Sequence, residues 1–155
     1  MKARGFTFVE LMMTLAILGV LALVALPLAE YSIRREKERE LRNALIEIRT
    51  AIDTYKGAAE QGRINVPPGD SGYPRALGEL VEGVVDQRSP VRQKLYFLRR
   101  LPADPFAAPG VDASLTWGLR AYASPPDMPV PGRDVFDIYS LSPLAGLNGV
   151  PYRQW

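Results

Sequence analysis

The chain has 155 residues, room for one modest domain, and 19 Lys and Arg against 17 Asp and Glu give a formal charge of +2. It contains neither Cys nor His, which excludes disulfides, thiol chemistry, zinc sites built from those side chains and Ser-His-Asp triads within the chain. So small a net charge supplies no general attraction to nucleic acid.

The chain opens on a short basic stretch, Met1-Lys2-Ala3-Arg4-Gly5, followed by Phe6-Thr7-Phe8-Val9-Glu10. Leu11 to Ala29 then runs 19 residues without a charge. A helix of this length crosses a bilayer. Glu10 is the one carboxylate in the apolar stretch that begins at Phe6. An ionisable group there is costly in lipid and therefore points to a function.

Gly5-Phe6-Thr7-Phe8-Val9-Glu10-Leu11 resembles the processing site of type IV pilins and type II secretion pseudopilins. The resemblance implies that a prepilin peptidase cuts between Gly5 and Phe6 and methylates the new amine of Phe6. It also implies that Glu10 serves filament assembly by pairing with that amine on a neighbouring subunit. Pro27 falls where many family members carry a helix-kinking proline. Such a cut would remove Lys2 and Arg4 and leave 17 charges of each sign.

Two other readings share the apolar length. A secretory signal peptide has a shorter apolar region, no internal charge and a small-residue cleavage site, of which Pro27-Leu28-Ala29 is a poor version. A plain single-pass anchor leaves Glu10 and the Gly5–Phe6 junction unexplained. The charges conflict over orientation. Lys2 and Arg4 favour a cytoplasmic N-terminus, whereas Arg34, Arg35, Lys37 and Arg39 favour a cytoplasmic far end. The resemblance implies the first arrangement: a bacterial inner-membrane protein, single-pass, with its N-terminus cytoplasmic and its globular part extracytoplasmic.

Glu30 to Glu40 is almost wholly charged and free of Gly and Pro, the pattern of a solvated helical neck. Glu30 and Arg34 form a favourable i, i+4 pair, while Arg35–Arg39 and Glu36–Glu40 oppose like charges. Leu41, Ala44, Leu45, Ile48, Ala51, Ile52, Tyr55 and Ala59 then mark one apolar stripe at helical period, a core face. Gly57 and Gly62 mark the C-terminal region of this helix. Running from Phe6 to about Glu60, it would measure roughly 80 Å.

Residues 61–72 read as a loop. A short amphipathic helix is expected from Arg75 to Glu82, and another after Ser89-Pro90 carrying Val91, Leu95, Phe97 and Leu98. The prolines of Leu101-Pro102-Ala103-Asp104-Pro105-Phe106 take the chain out of that helix. Strands are expected at Leu115–Ala123 and Val135–Leu141, separated by a loop holding Pro125, Pro126, Pro129 and Pro131. Ser142 to Trp155 reads as largely irregular.

Three of these segments are similar to the G-type major pseudopilins of type II secretion systems: Gly72-Tyr73-Pro74 with its following helix, Leu101 to Phe106, and Phe136-Asp137-Ile138-Tyr139-Ser140-Leu141. The fold implied is α+β, pilin-like: a long N-terminal helix packed on a small antiparallel β-sheet. The expected division is leader 1–5, transmembrane helix 6–29, neck and amphipathic half 30–60, and globular domain 61–155. The resemblance implies a structural subunit rather than an enzyme. Its partners would be prepilin peptidase, like subunits and minor pseudopilins in a helical filament, and the inner-membrane assembly platform.

In G-type pseudopilins aspartates and backbone carbonyls of the C-terminal loop bind calcium. Here Ser142 to Trp155 holds no Asp or Glu, which leaves Asp137, Asn148 and the more distant Asp134 as candidate oxygens. Calcium takes six to eight oxygens, usually several of them carboxylate. No cofactor is expected on that count. Many type IV pilins carry a C-terminal disulfide loop, and the absence of Cys here favours a pseudopilin. The alternatives are a type IV pilus subunit for adhesion, motility or DNA uptake, and a membrane-anchored binding module or enzyme. For DNA the nearest patch is Arg99-Arg100 beside Tyr96 and Phe97, and for an enzyme the candidate acids are Asp104, Asp134 and Asp137.

Overall fold

The computed structural model describes residues 7–155, so the Gly5–Phe6 junction lies outside the described residues. The chain divides into two compact units, Met1–Lys37 and Glu38–Trp155. One helix, α1 (Phe8–Glu60), contributes to both. Its first part carries large apolar side chains exposed all round, among them Leu11, Met12, Leu15, Leu18, Leu21, Leu23, Leu26 and Leu28. Apolar on every side, it suits lipid rather than a protein core, and it is long and apolar enough to cross a membrane. Pro27 sits inside α1, where its missing N–H removes one helical hydrogen bond.

In the second unit α1 presents the apolar stripe to the core. Leu41, Ala44, Leu45, Ile48, Ala51, Ile52 and Tyr55 are buried, joined by Ala58. The helix ends in a Schellman motif: Gly62 N–H donates to Ala59 O at 2.9 Å and Arg63 N–H to Ala58 O at 3.0 Å. That closure places Gly62 at φ +69°, a conformation that glycine adopts without a Cβ penalty.

Short α2 (Gly78–Glu82) occupies only the end of the expected Arg75–Glu82 helix, with Leu80 buried against the core. The helix expected after Ser89-Pro90 is absent. In its place β1 (Val84–Val85) pairs antiparallel with β2 (Lys94–Leu95), with Val84 opposite Leu95. Asp86 decides this locally. Its N–H donates to Gln93 O at 2.9 Å, and its carboxylate accepts from Arg88 N–H at 3.0 Å. Arg63 binds the same carboxylate at 2.6 Å and holds it below the usual carboxylate range. The N–H groups of Phe97 and Leu98 both donate to Leu80 O, which ties the returning strand to α2 rather than into a helix of its own.

A 3₁₀ turn (Ala113–Leu115) leads into β3 (Trp117–Arg120), which pairs antiparallel with β4 (Asp137–Ser140) and places Trp117 opposite Ser140. Both strands fall inside the expected segments. Buried Trp117, Val135 and Ile138 join the α1 stripe in one core. The Pro-rich turn is fixed to this sheet: Trp117 Nε1–H donates to Pro102 O at 2.8 Å, and Ser140 Oγ–H to Asp104 at 2.5 Å. The fold is α+β with antiparallel pairing, and the strands form two separate two-stranded sheets.

The tail departs from the irregular segment expected. An antiparallel bridge joins Ala145 and Pro151, and a second 3₁₀ turn (Tyr152–Gln154) follows. Tyr152 is fully buried, stacked on Phe106 with ring centroids 4.3 Å apart. The neck departs too. Glu38, expected among solvated charges, is only 7% exposed and belongs to the core unit.

Candidate functional site

Thr7 and Glu10 form a capping box at the N-terminus of α1. Thr7 N–H donates to Glu10 Oε2 at 2.9 Å, and the Thr7 hydroxyl donates to the same oxygen at 2.9 Å. In return Glu10 N–H donates to Thr7 Oγ1 at 3.3 Å. The first helical bond, Leu11 N–H to Thr7 O, is 3.2 Å. A helix start leaves four N–H groups without intrahelical acceptors, and in lipid no water would serve them. Thr7 and Glu10 together satisfy one of these donors and the N–H that precedes the helix. Among the described residues Glu10 Oε1 carries no hydrogen bond. The spacing Thr7-x-x-Glu10 is itself a capping-box signal in the sequence.

The other residues singled out in the sequence do not converge on one site. Asp137 takes Arg49 Nε–H at 2.8 Å and has Arg120 at 3.8 Å, so two guanidinium groups face it. Asn148 Oδ1 accepts from Val150 N–H at 3.0 Å within the tail turn. Asp134 accepts from Tyr122 N–H at 2.8 Å and from the Ser71 hydroxyl. Asp104 is buried and accepts from Phe106 N–H at 2.8 Å as well as from Ser140. Each acid thus has local donors of its own. Arg99 and Arg100 are exposed and lie outside any helix, beside exposed Tyr96 and half-buried Phe97.

Sequence reading missed a set of residues on α1. Glu38 accepts from Leu147 N–H at 2.6 Å and from the Tyr152 hydroxyl at 2.9 Å. The Arg42 guanidinium stands 4.5 Å over the Trp155 ring. Arg49 donates to Trp155 O at 2.8 Å and to Ile138 O at 3.1 Å. Nothing in the sequence separated these side chains from their solvated neighbours, because their partners lie about a hundred residues away.

An apolar helix headed by a capped glutamate, carrying an α+β unit with small antiparallel sheets, defines a pilin-like architecture. Comparison with known proteins agrees at the N-terminus. Residues 1–26 match the family described as the prokaryotic N-terminal methylation motif. Over 60 residues the chain is 35% identical to the type IV major fimbrial protein FimA of Dichelobacter nodosus, covering 39% of this chain and 38% of that protein. The match therefore spans well under half the length of that relative. No solved structure matches the chain. The chain bears a prokaryotic N-terminal methylation motif and is similar over 60 residues to a type IV fimbrial protein.

Proposed function

We propose that this chain is a structural subunit of a pilus-like filament, the pseudopilus of a type II secretion system. It is cut by prepilin peptidase between Gly5 and Phe6 and N-methylated on Phe6. It waits in the bacterial inner membrane with its N-terminus cytoplasmic and its globular unit outside. The assembly platform then draws it into a filament with like subunits and minor pseudopilins.

The observation that carries this reading is Glu10, placed at the head of an apolar helix within a matched methylation motif. Its two oxygens divide the work. Oε2 serves the helix's own cap, and Oε1 is left for the methylated amine of a neighbouring Phe6. Leaving either charge unpaired in a buried filament core costs several kcal/mol, so a subunit gains most where partner and register are both correct. The apolar length of α1 then packs against like helices.

Mass spectrometry of the native N-terminus tests the processing step. The expected chain begins at N-methylated Phe6. A mature chain beginning near Glu30 would mean secretory cleavage and would reject the filament reading.

A second reading is a type IV pilus subunit, favoured by the identity with a fimbrial protein. Deleting the gene separates the two. Loss of secreted proteins with surface fibres intact supports the pseudopilus, and loss of fibres with secretion intact supports the pilus.

A further inference from the structure

The last twelve residues form a compact loop. Gly146 N–H donates to Val150 O at 2.8 Å, Gly149 N–H to Gly146 O at 2.9 Å, and Tyr152 N–H to Leu144 O at 3.1 Å. None of its own side chains is acidic. A calcium ion would need several carboxylate oxygens, and the candidate singled out in the sequence, Asp137, already faces Arg49 and Arg120. The oxygens of Asn148 and Val150 are also engaged, accepting from Val150 N–H and Gly146 N–H. These residues do not fit a calcium site.

We propose that Glu38, Arg42 and Arg49 form a metal-independent latch that seats the C-terminal loop on α1. The three residues lie at i, i+4 and i+11, on one face of the helix. Glu38 holds the loop at its turn through Leu147 N–H and at its exit through the Tyr152 hydroxyl. Arg42 covers Trp155, and Arg49 joins Trp155 O to Ile138 O and Asp137 on β4. Glu38 is only 7% exposed. Hydrogen bonds to a charged acceptor are stronger than neutral ones, and losing the acceptor strands the buried Tyr152 hydroxyl and the partly buried Leu147 N–H. The latch thus does by side-chain bonding what a disulfide or a bound ion does elsewhere, and the loop stays seated in calcium-poor or reducing surroundings.

Amide hydrogen exchange on the full chain in detergent micelles tests this. In Glu38→Ala, exchange at residues 146–152 should speed up by about tenfold or more, while β3 and β4 stay protected. Glu38→Gln keeps an acceptor oxygen and should retain most of the protection. Chelator should change nothing in the wild-type chain, and added calcium should not restore Glu38→Ala. Unchanged loop exchange in Glu38→Ala, or loop protection lost to chelator in the wild type, overturns the latch. Should Glu38→Ala also lose protection in β3 and β4, Tyr152→Phe decides. It removes one of the two donors and keeps the stack on Phe106, so faster exchange confined to the loop sustains the proposal and unchanged exchange rejects it.

Discussion

Glu10 caps its own helix, and under the proposed assembly its carboxylate also meets a cation from the next subunit. Glu10→Val removes both functions and also removes a charge from the apolar span, so membrane insertion should persist or improve. Cleavage should persist, because the junction at Gly5 is untouched. Filament incorporation should fall on the order of tenfold or more, since a neighbour's amine would lose its buried partner. Glu10→Asp should lie between Val and wild type, keeping the charge and losing reach. Filament content measured against membrane level checks this, and normal assembly by Glu10→Val would reject the mechanism. Glu10 was visible in the sequence because a charge inside an apolar run is conspicuous. Glu38 was not, because it sits among Glu36, Lys37, Arg39 and Glu40 and only the fold brings Leu147 and Tyr152 to it.

Among the elements, α1 was legible because helical periodicity is a local property: its buried stripe reads directly from Leu41 to Tyr55. The β1–β2 hairpin was not. Two-residue strands show no alternation, and Leu95, Phe97 and Leu98 fit a short helix as well as a returning strand. Gly83 is the pivot. It takes φ +75° and ψ 151°, a region essentially restricted to glycine. A Cβ there would meet the Tyr96 ring at 2.8 Å and Leu95 O at 2.9 Å. Gly83→Ala should therefore destabilise the globular unit by about 2 kcal/mol or more. Denaturant unfolding of the full chain in detergent reads the loss. Unchanged stability would mean that the hairpin can shift away at no cost.

For the whole molecule, the apolar first part of α1 and the buried core stripe fall in different compact units. Ile52→Ala tests that separation. Ile52 is fully buried in the core cluster, and truncating it should cost about 2–5 kcal/mol. The proposed cleavage at Gly5 should continue, because the junction is remote from Ile52 along the chain. Thermal melting and N-terminal mass spectrometry on one sample give both answers, and loss of cleavage with insertion intact would show that the peptidase reads the folded unit.

The sequence by itself determined the apolar span, the N-terminal methylation motif, the core stripe of α1 and the two strands Trp117–Arg120 and Asp137–Ser140. Each is carried by residues close together in the chain, through length, fixed offsets or periodicity. Only the tertiary structure decided the hairpin after α2, the burial of Glu38 and the seating of the tail. Those depend on bonds between distant residues: Leu80 O with the amides of Phe97 and Leu98, Glu38 with Leu147 and Tyr152, and Arg49 with Asp137, Ile138 and Trp155. Burial converts an ordinary surface carboxylate into a fixed acceptor. That conversion is set by what the fold places against it, which no local pattern of charge or hydropathy encodes.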